Sequence, residues 1–220
     1  MLFRSWSTGS EDEILGIDEI QARFDLEHVQ KAGAVFDRTR LEWLNGQWIR
    51  KLSNDDLHAR LRPFYDRAAA AGRIERPARD EEIAALLPLI RERIPLLSSA
   101  IELTDFLFVE RLQHDPAILV PKRWDRTVAL AALEAARPLI VDGIGEGDAP
   151  LLDAEDPLEA RLRALAETNG WKAGDLFMAL RAAATGRTAT PPLFDSMRLL
   201  GRAAVTSRID QAIDCLRRVA

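Results

Sequence analysis

The segment RAAATGRTATPPLF, at residues 181–194, joins the end of one predicted helix to a stiff loop and to the start of a second helix. Gly186 suits the left-handed turn that closes a helix, because glycine adopts a positive φ without steric cost. Thr190 is a favourable residue to cap the following helix, and Pro191 fits the first position of that helix. The segment therefore predicts two helices joined by a rigid elbow.

Two arginines, Arg181 and Arg187, give this elbow the features of a binding site. An arginine presents a planar fork of N–H donors, and the start of a helix presents oriented backbone amides. Both groups suit a polyanion or an unstacked base of RNA. The alternative for the same residues is a simple connector between two helices, and the segment alone leaves both interpretations open.

Helical periodicity runs along the rest of the chain, and no segment shows the alternation of a convincing strand. Asp37 is predicted to cap a helix that extends to residue 52. The apolar face of that helix is formed by Leu41, Leu44, Trp48, Ile49 and Leu52. Ser53 and Asp56 resemble a capping box for the next helix, which we expect to stop near Gly72.

Further helix boundaries follow from the same capping rules. Helix starts are predicted at Asp80, Asp125 and Asp156, and helix ends at Gly170, Gly186 and Gly201. Pro88 is expected to kink the helix that Asp80 begins or to split it in two. Residues 141–156 are rich in Gly, Asp and Pro and form the clearest predicted loop. The whole pattern predicts an all-α protein of two to three small helical bundles.

The composition is that of a soluble globular protein, with 47% hydrophobic and 30% charged residues in a chain of 220. No apolar run is long enough to span a bilayer, and the N-terminal residues show no signal-peptide pattern. The single cysteine, Cys215, has no second cysteine with which to form an internal disulfide. We therefore expect a cytoplasmic protein without a membrane partner.

Charge is distributed unevenly along the chain, whose net charge is −5. Residues 157–220 contain ten Lys/Arg and six Asp/Glu, a net +4, so residues 1–156 carry the remaining −9. The basic part contains the elbow, and a local field of this sign attracts polyanions. The asymmetry favours RNA as a partner, while the acidic part is expected to be solvated surface.

No candidate catalytic or metal site emerges from the sequence. The three histidines, His28, His58 and His114, lack the close helical spacing of a metal motif, so we expect them on the surface or in local hydrogen bonds. The glycine-rich residues 143–147 lack the following Lys and Ser/Thr of a phosphate-binding loop. Cys215 has no neighbouring base that would activate it as a nucleophile.

The tripeptide Arg91-Glu92-Arg93 ends a predicted amphipathic helix just before Pro95. Arginines at a helix end interact favourably with the helix dipole, so a solvated last turn is one interpretation. The other interpretation is a pair of guanidinium groups that bond the exposed edge of a base. Taken without their context, these residues favour the first.

Three blocks of sequence, in this order along the chain, resemble the C-terminal part of bacterial glutamyl-tRNA synthetases. The first, FDLEHVQKAGAVFDRTRLEWLNGQWIRKL at residues 24–52, is similar to the end of the stem-contact domain of that family. The second, LPLIRERIPLL at residues 87–97, is similar to the helical segment that reaches the anticodon. The third, LFMALRAAATGRTATPPLFDSMRLLG at residues 176–201, contains the elbow.

The resemblance implies an all-helical chain in three parts. These are the end of a stem-contact-like region at residues 1–53, a first anticodon-binding subdomain at residues 54–110, and a second at residues 111–220. It also implies that the chain binds a glutamate-accepting tRNA, whose unstacked anticodon bases expose edges that a duplex hides. DNA is not an expected partner.

By resemblance, Arg93 corresponds to the arginine that reads the third anticodon base. Its fork suits the O2 and N3 acceptors of a cytosine, and a wrong base would leave part of the fork unpaired. In the family this arginine accompanies discrimination of glutamate tRNA against glutamine tRNA, where a relaxed member more often carries glutamine. Arg91 and Lys122 are candidate phosphate contacts.

The third block contains the other candidate contacts with tRNA. Arg181, Thr190 and Leu193 correspond to residues near the first two anticodon bases. Phe194 is expected to complete this pocket or to pack beneath it. Arg187 is expected to contact the RNA as well.

The chain also departs from the family. The ATP-binding fold and its motifs are absent from these residues, so we expect no catalytic residue and no cofactor here; ATP and magnesium are needed only if a catalytic domain is joined. Ala179 replaces a usual proline, and RSWS at residues 4–7 replaces a usual L-G-W-S. Two alternatives remain: a part of a full synthetase, or a free-standing truncated relative that helps tRNA or docks a protein such as a tRNA-dependent amidotransferase.

Overall fold

The computed structural model describes residues 14–29, 37–145 and 156–218. Within these ranges the chain forms eleven α-helices, two short 3-10 helices and no strand, which confirms the all-α prediction. The α-helices are α1 Ile17–Arg23, α2 Arg38–Lys51, α3 Asn54–Ala70, α4 Asp80–Ile90, α5 Ser99–Thr104, α6 Pro116–Leu119, α7 Arg126–Gly143, α8 Pro157–Thr168, α9 Ala173–Thr185, α10 Leu193–Leu200 and α11 Arg202–Arg218. The 3-10 helices are Leu26–His28 and Asp105–Phe108.

Most predicted helix boundaries are confirmed by the capping geometry. Side-chain oxygens accept hydrogen bonds of 2.8–3.1 Å from backbone N–H groups at the starts of four helices. The residues that supply these oxygens are Asp37, Ser53, Asp125 and Asp156. Glycines with positive φ follow four helices, as predicted, at Gly72, Gly170, Gly186 and Gly201.

Helix α4 differs from its prediction at its start and at Pro88. Its N-cap is Arg79, and Asp80 is its first helical residue. The carboxylate of Glu82 accepts from the backbone N–H of Arg79 at 2.8 Å, so the acid that bonds the start of this helix is Glu82 and not Asp80. Pro88 does not split the helix, which continues to Ile90. Burial of the side chains on both sides of this proline outweighs the one backbone hydrogen bond that it cannot make.

The predicted loop at residues 141–156 begins later than expected. Helix α7 continues to Gly143, and Ile144 after it is buried. A Cβ atom at Gly143 would lie 2.8 Å from Cδ1 of Leu158, so the end of α7 packs directly against α8. Residues 146–155 lie outside the described part of the chain, as do residues 4–7 and 30–36 of the segments compared with the family.

The predicted apolar face of α2 is confirmed only in part. Ile49 is buried and Leu52 packs against the core, as predicted, but Leu41 and Trp48 are 47% and 42% exposed, and Gly46 is buried. The helix turns its glycine toward Pro95, whose Cα atom would lie 3.5 Å from a Cβ at Gly46. A close backbone approach, rather than the leucine and tryptophan stripe, therefore sets the orientation of α2.

Two hydrophobic clusters form the core of the described chain. The N-terminal cluster extends from Ile49 to Phe108 and includes the buried side chains of α3, α4 and α5. The C-terminal cluster extends from Leu119 to Leu216 and includes those of α6 to α11. The predicted boundary between residues 110 and 111 falls between them. Because Ile49 of α2 belongs to the N-terminal cluster, the separate region at residues 1–53 stays a prediction.

The turn before α4 provides a pH-dependent test of stability. Burial alone raises the pKa of Glu82, but hydrogen bonds from Arg76 and Arg79 outweigh burial and lower this pKa to about 2. A lowered carboxyl pKa stabilises the fold above the ordinary value of 4.5, and this contribution is lost as the pH falls toward about 2. We expect Glu82→Gln to lower the free energy of unfolding by on the order of 1–2 kcal/mol at neutral pH.

Urea titrations of both proteins from neutral pH downward test this expectation. The difference in the free energy of unfolding should disappear between pH 4.5 and about 2. Glu81→Gln, in the same turn at an exposed position, is the matched control and should show no such dependence. A difference for Glu82→Gln that stays constant down to pH 2 would contradict the assignment.

Candidate nucleic-acid interface

Arg93 lies in the turn that follows α4. Its backbone N–H donates to the carbonyl oxygen of Ile90 at 2.8 Å, which fixes the start of its side chain. The side chain itself is exposed, and no group within the described residues accepts a hydrogen bond from its guanidinium. The N–H fork of Arg93 is therefore open to a ligand from outside the described chain.

Arg181 lies on α9, whose buried side chains belong to the C-terminal cluster. Burial lowers the pKa of Arg181, and the positive charge of Arg93 lowers it further. Arg93 follows α4, whose buried side chains belong to the N-terminal cluster, so its charge acts on a side chain of the other half of the chain.

The guanidinium of Arg181 is anchored to the elbow through one nitrogen. Its Nη1 atom donates to the hydroxyl of Thr190 and, at 2.8 Å, to the carbonyl oxygen of Pro191. Within the described residues, the Nε and Nη2 atoms make no hydrogen bond to the protein. One edge of the fork is thus fixed while the other edge stays available.

Thr190 does not cap α10, contrary to the sequence prediction. The N-cap is Pro192 and the helix begins at Leu193, so Pro191 is not its first residue. The hydroxyl of Thr190 is already used, because it accepts from Arg181 and donates to the carbonyl oxygen of Pro191 at 2.9 Å. The hydroxyl thus bonds the preceding helix, a partner that local capping rules do not include.

The remaining candidate contacts at the elbow are buried to different extents. Thr190 and Leu193 are 6% and 4% exposed, and Leu193 belongs to the C-terminal cluster. Phe194 is half-buried and packs edge-on against Phe177, with ring centroids 5.3 Å apart. Phe194 is therefore the most accessible of the three.

Arg187 bonds the opposite half of the chain. Its guanidinium donates to the carbonyl oxygen of Glu102 and to the carboxylate of Asp105, beside which Arg73 also lies. Burial raises the pKa of Asp105, although the charges of Arg187 and Arg73 oppose this shift. Arg187, which was predicted to contact RNA, thus joins the end of α9 to α5 and to the 3-10 helix that follows α5.

The two candidate phosphate contacts differ in their surroundings. Arg91 donates to the backbone carbonyl oxygens of Arg50, at 3.2 Å, and Leu52, and to Oδ1 of Asn54 at 2.5 Å. Arg91 therefore bonds both the end of α2 and the start of α3. Lys122 is exposed in the turn between α6 and α7. Both phosphate contacts stay predictions.

Arg208 of α11 is not among the residues predicted from the sequence. This side chain is 2% exposed and donates to the carbonyl oxygens of Ala184 at 3.0 Å, Phe106 at 2.9 Å and Val109 at 2.6 Å. Burial lowers its pKa to about 10, against an opposing effect of Glu75, so the group is still charged at neutral pH. It bonds the end of α9 on one side and the end of the N-terminal half on the other.

A signal for Arg208 was present in the periodicity of α11. Val205, Ile209 and Ala212 form one buried face of this helix, and Arg208 lies on the same face. A charged residue at an apolar position of a helical pattern indicates a buried, hydrogen-bonded group.

Two of the three histidines lie within hydrogen-bonding distance of a backbone carbonyl oxygen. Nε2 of His58 lies 3.2 Å from the carbonyl oxygen of Asp80, and Nε2 of His114 lies 2.8 Å from that of Ala183. Among residues 14–29, 37–145 and 156–218, no three His, Cys, Asp or Glu side chains are grouped to hold a metal ion. None of the described helices is both long and apolar enough to cross a membrane.

The chain matches known proteins over almost its whole length. A family model described as "Anticodon binding domain" matches residues 56–213. The glutamate–tRNA ligase of Roseiflexus castenholzii is 38% identical over 218 residues, which are 98% of this chain and 41% of that protein. The glutamate–tRNA ligase of Chloroflexus aurantiacus is 37% identical over 227 residues, which cover 100% of this chain and 43% of that protein. The chain thus spans about two fifths of these relatives.

Solved structures agree with the fold. A glutamate–tRNA ligase from Elizabethkingia meningosepticum, crystallised with its amino acid, superposes with a TM-score of 0.74 at 24% identity over 96% of this chain and 39% of that one. The glutamate–tRNA synthetase of Elizabethkingia anophelis gives a TM-score of 0.71 at 23% identity. The sequence resemblance to glutamyl-tRNA synthetases is confirmed.

Arg208 provides a test of how the two halves are joined. We expect Arg208→Leu to lower the free energy of unfolding by on the order of 3–5 kcal/mol, because three buried carbonyl oxygens lose their donor. Arg217→Leu, on the same helix with its side chain 56% exposed, is the matched control, and we expect it to cost less than about 1 kcal/mol. Chemical denaturation measures both. Equal stabilities of the two variants would show that Arg208 does not join the halves.

Proposed function

This chain belongs to the anticodon-binding domain family, and on that premise we propose that it binds the anticodon of a glutamate-accepting tRNA. The observation that carries this proposal is that two arginines keep guanidinium donors unbonded within the described residues: the whole fork of Arg93, and the Nε and Nη2 atoms of Arg181. An RNA ligand offers the phosphates and base acceptors that bond such donors.

Arg93 is the residue to which we assign the third anticodon base. Its exposed fork has two parallel N–H donors for the O2 and N3 atoms of a cytosine. None of its donors bonds an acceptor within the described chain. A purine with a donor at the same edge would leave the fork partly unpaired. Arg93 thereby favours glutamate tRNA over glutamine tRNA.

Arg181 is assigned to the first two bases. Because its Nη1 atom is bonded to Thr190 and Pro191, the fork is fixed before the RNA arrives, and its free edge faces the ligand at a lower entropic cost. Thr190 and Leu193 act by holding and shaping this site, since both are buried. The half-buried ring of Phe194 offers an edge or face on which a base can stack.

The other basic residues have divided roles in this proposal. Arg187 and Arg91 bond the protein itself, so they hold the site together instead of contacting RNA first. Lys122 is exposed and is the candidate for a phosphate contact.

The module is proposed to act in the cytoplasm during translation. Joined to a catalytic domain, it would direct ATP- and magnesium-dependent attachment of glutamate to tRNA, with ATP and magnesium bound outside these residues. On its own, or with a protein such as a tRNA-dependent amidotransferase, it would bind tRNA without ligase activity. The exposed Leu41, Trp43 and Trp48 on α2 favour contact with a further protein surface in either case.

Arg93 provides the direct test of the proposal. We expect Arg93→Ala to weaken binding of glutamate tRNA by about 10- to 100-fold, because a charged, bidentate donor is lost. The affinity of the variant for a tRNA with another third anticodon base should differ little from that of the unaltered chain. Arg217→Ala removes the same charge from an exposed position of α11 and should leave both affinities unchanged. Gel-shift titrations at two salt concentrations measure these affinities.

Binding that is indifferent to both the anticodon and the salt concentration would refute the RNA proposal and would favour a protein partner. If the unaltered chain bound glutamate tRNA and glutamine tRNA with equal affinity, only the proposed discrimination by Arg93 would be refuted.

Lys122 separates a phosphate contact from a base contact. We expect Lys122→Ala to weaken the binding of all tRNAs equally. It should also reduce the slope of log affinity against log salt by about 0.7, the value for one phosphate of a single strand. Arg93→Ala should instead change the ratio between tRNAs. An unchanged slope for Lys122→Ala removes this residue from the interface.

A further inference from the structure

The turn that carries Arg93 rests on helix α2. Nδ2 of Asn45 donates to the carbonyl oxygen of Pro95 at 2.5 Å, on the C-terminal side of the turn. Nη2 of Arg50 donates to the carbonyl oxygen of Glu92 at 3.1 Å, on its N-terminal side. Arg93 therefore lies between two backbone groups that are both bonded by side chains of the same helix.

The bonds between α2 and the turn run in both directions. Nε of Arg50 lies 2.7 Å from a carboxylate oxygen of Glu92, in addition to its bond to the Glu92 backbone. In return, the guanidinium of Arg91 donates to the carbonyl oxygens of Arg50 and Leu52 at the end of α2. The helix end and the turn thus satisfy each other's backbone groups, which restricts the motion of both.

Gly46 allows this contact. The residue is buried, and a Cβ atom there would lie 3.5 Å from Cα of Pro95 and 3.7 Å from the carbonyl oxygen of Ile94. An alanine fits at these ordinary van der Waals distances, whereas a branched side chain would push the turn away. The Asn-Gly pair in the middle of α2 is therefore matched to the turn in both hydrogen bonding and size.

We propose that Asn45, Gly46 and Arg50 are positioning residues for Arg93, so that α2 sets how selectively the turn reads its base. The inference rests on the proposed function, in which Arg93 contacts the third anticodon base. The side chain of Arg93 has no partner within the described chain that would orient it, so the backbone beneath it determines where its fork lies. A fixed backbone preserves the two-bond geometry on which selectivity depends.

The test compares Asn45→Ala with a control on the same helix, Glu42→Gln, whose partner is the exposed Arg38. For Asn45→Ala we expect the affinity ratio between glutamate tRNA and a tRNA with a changed third base to fall by about three- to tenfold, the effect of one lost hydrogen bond. Affinity for the changed tRNA should be unaltered. Glu42→Gln should leave the ratio as it is.

A double-mutant cycle distinguishes positioning from general stability. In an Arg93→Gln background, Asn45→Ala should cause no further change in the ratio, because the residue that it positions is gone. A further loss in that background would mean that Asn45 acts on the site independently of Arg93, and the inference would be wrong.

Gly46 and the backbone amides supply readouts that are independent of selectivity. Gly46→Ala should retain the ratio and Gly46→Val should lower it as Asn45→Ala does. Hydrogen exchange of the Arg93 and Ile94 amides, which both donate to Ile90, should accelerate in Asn45→Ala but not in Glu42→Gln.

The outcomes separate the two levels of the proposal. If Arg93→Gln alone leaves the ratio unchanged, the assignment of Arg93 to a base fails. If Arg93→Gln abolishes the ratio while Asn45→Ala matches Glu42→Gln in both exchange and selectivity, the assignment of Arg93 stands and the positioning role of α2 is refuted.

Discussion

The guanidinium of Arg208 lies where two hydrophobic clusters meet, and it bonds backbone carbonyl oxygens on both sides. Its Nη1 and Nη2 atoms donate to these oxygens, while its buried Nε atom has no hydrogen-bond partner in the described residues. A rotation of one half against the other would break some of these bonds and leave more of a buried charge unsatisfied. Arg187 adds a second connection, to Asp105. Arg93 and Arg181, on which the proposed recognition depends, lie in the two halves that these bonds join.

Local chemistry made much of the fold predictable. Helix starts such as Asp37 and Asp125 require only that a side chain reach a backbone N–H three residues ahead, so sequence alone identifies them. The prediction fails where a partner outside the capping rules intervenes: Thr190 is bonded by an arginine nine residues earlier, on α9, and does not cap α10. The buried role of Arg208 needs two carbonyl oxygens that lie 102 and 99 residues away in sequence, although the position of Arg208 on an apolar face was visible.

The candidate residues were named by resemblance, and their contacts with tRNA stay predictions. The structure adds the surroundings of each one: the fork of Arg93 is unbonded within the described residues, and Arg181 is bonded through Nη1. It also separates residues that face outward from those, such as Arg187, whose donors are used inside the chain. Sequence spacing could not make this distinction, because an arginine's partners depend on packing between elements that are far apart along the chain.

The acceptors of Arg208 have an evolutionary consequence. All three are main-chain oxygens, which every amino acid possesses, so substitutions at positions 106, 109 and 184 can accumulate without loss of the bonds. Selection on these bonds would act on the arginine alone, since Phe106 and Ala184 are constrained by the packing of their own buried side chains and not by the bonds. In an alignment of relatives, this contact between the halves should therefore leave a conserved arginine with no co-varying residue, and methods that infer contacts from correlated substitutions would not detect it.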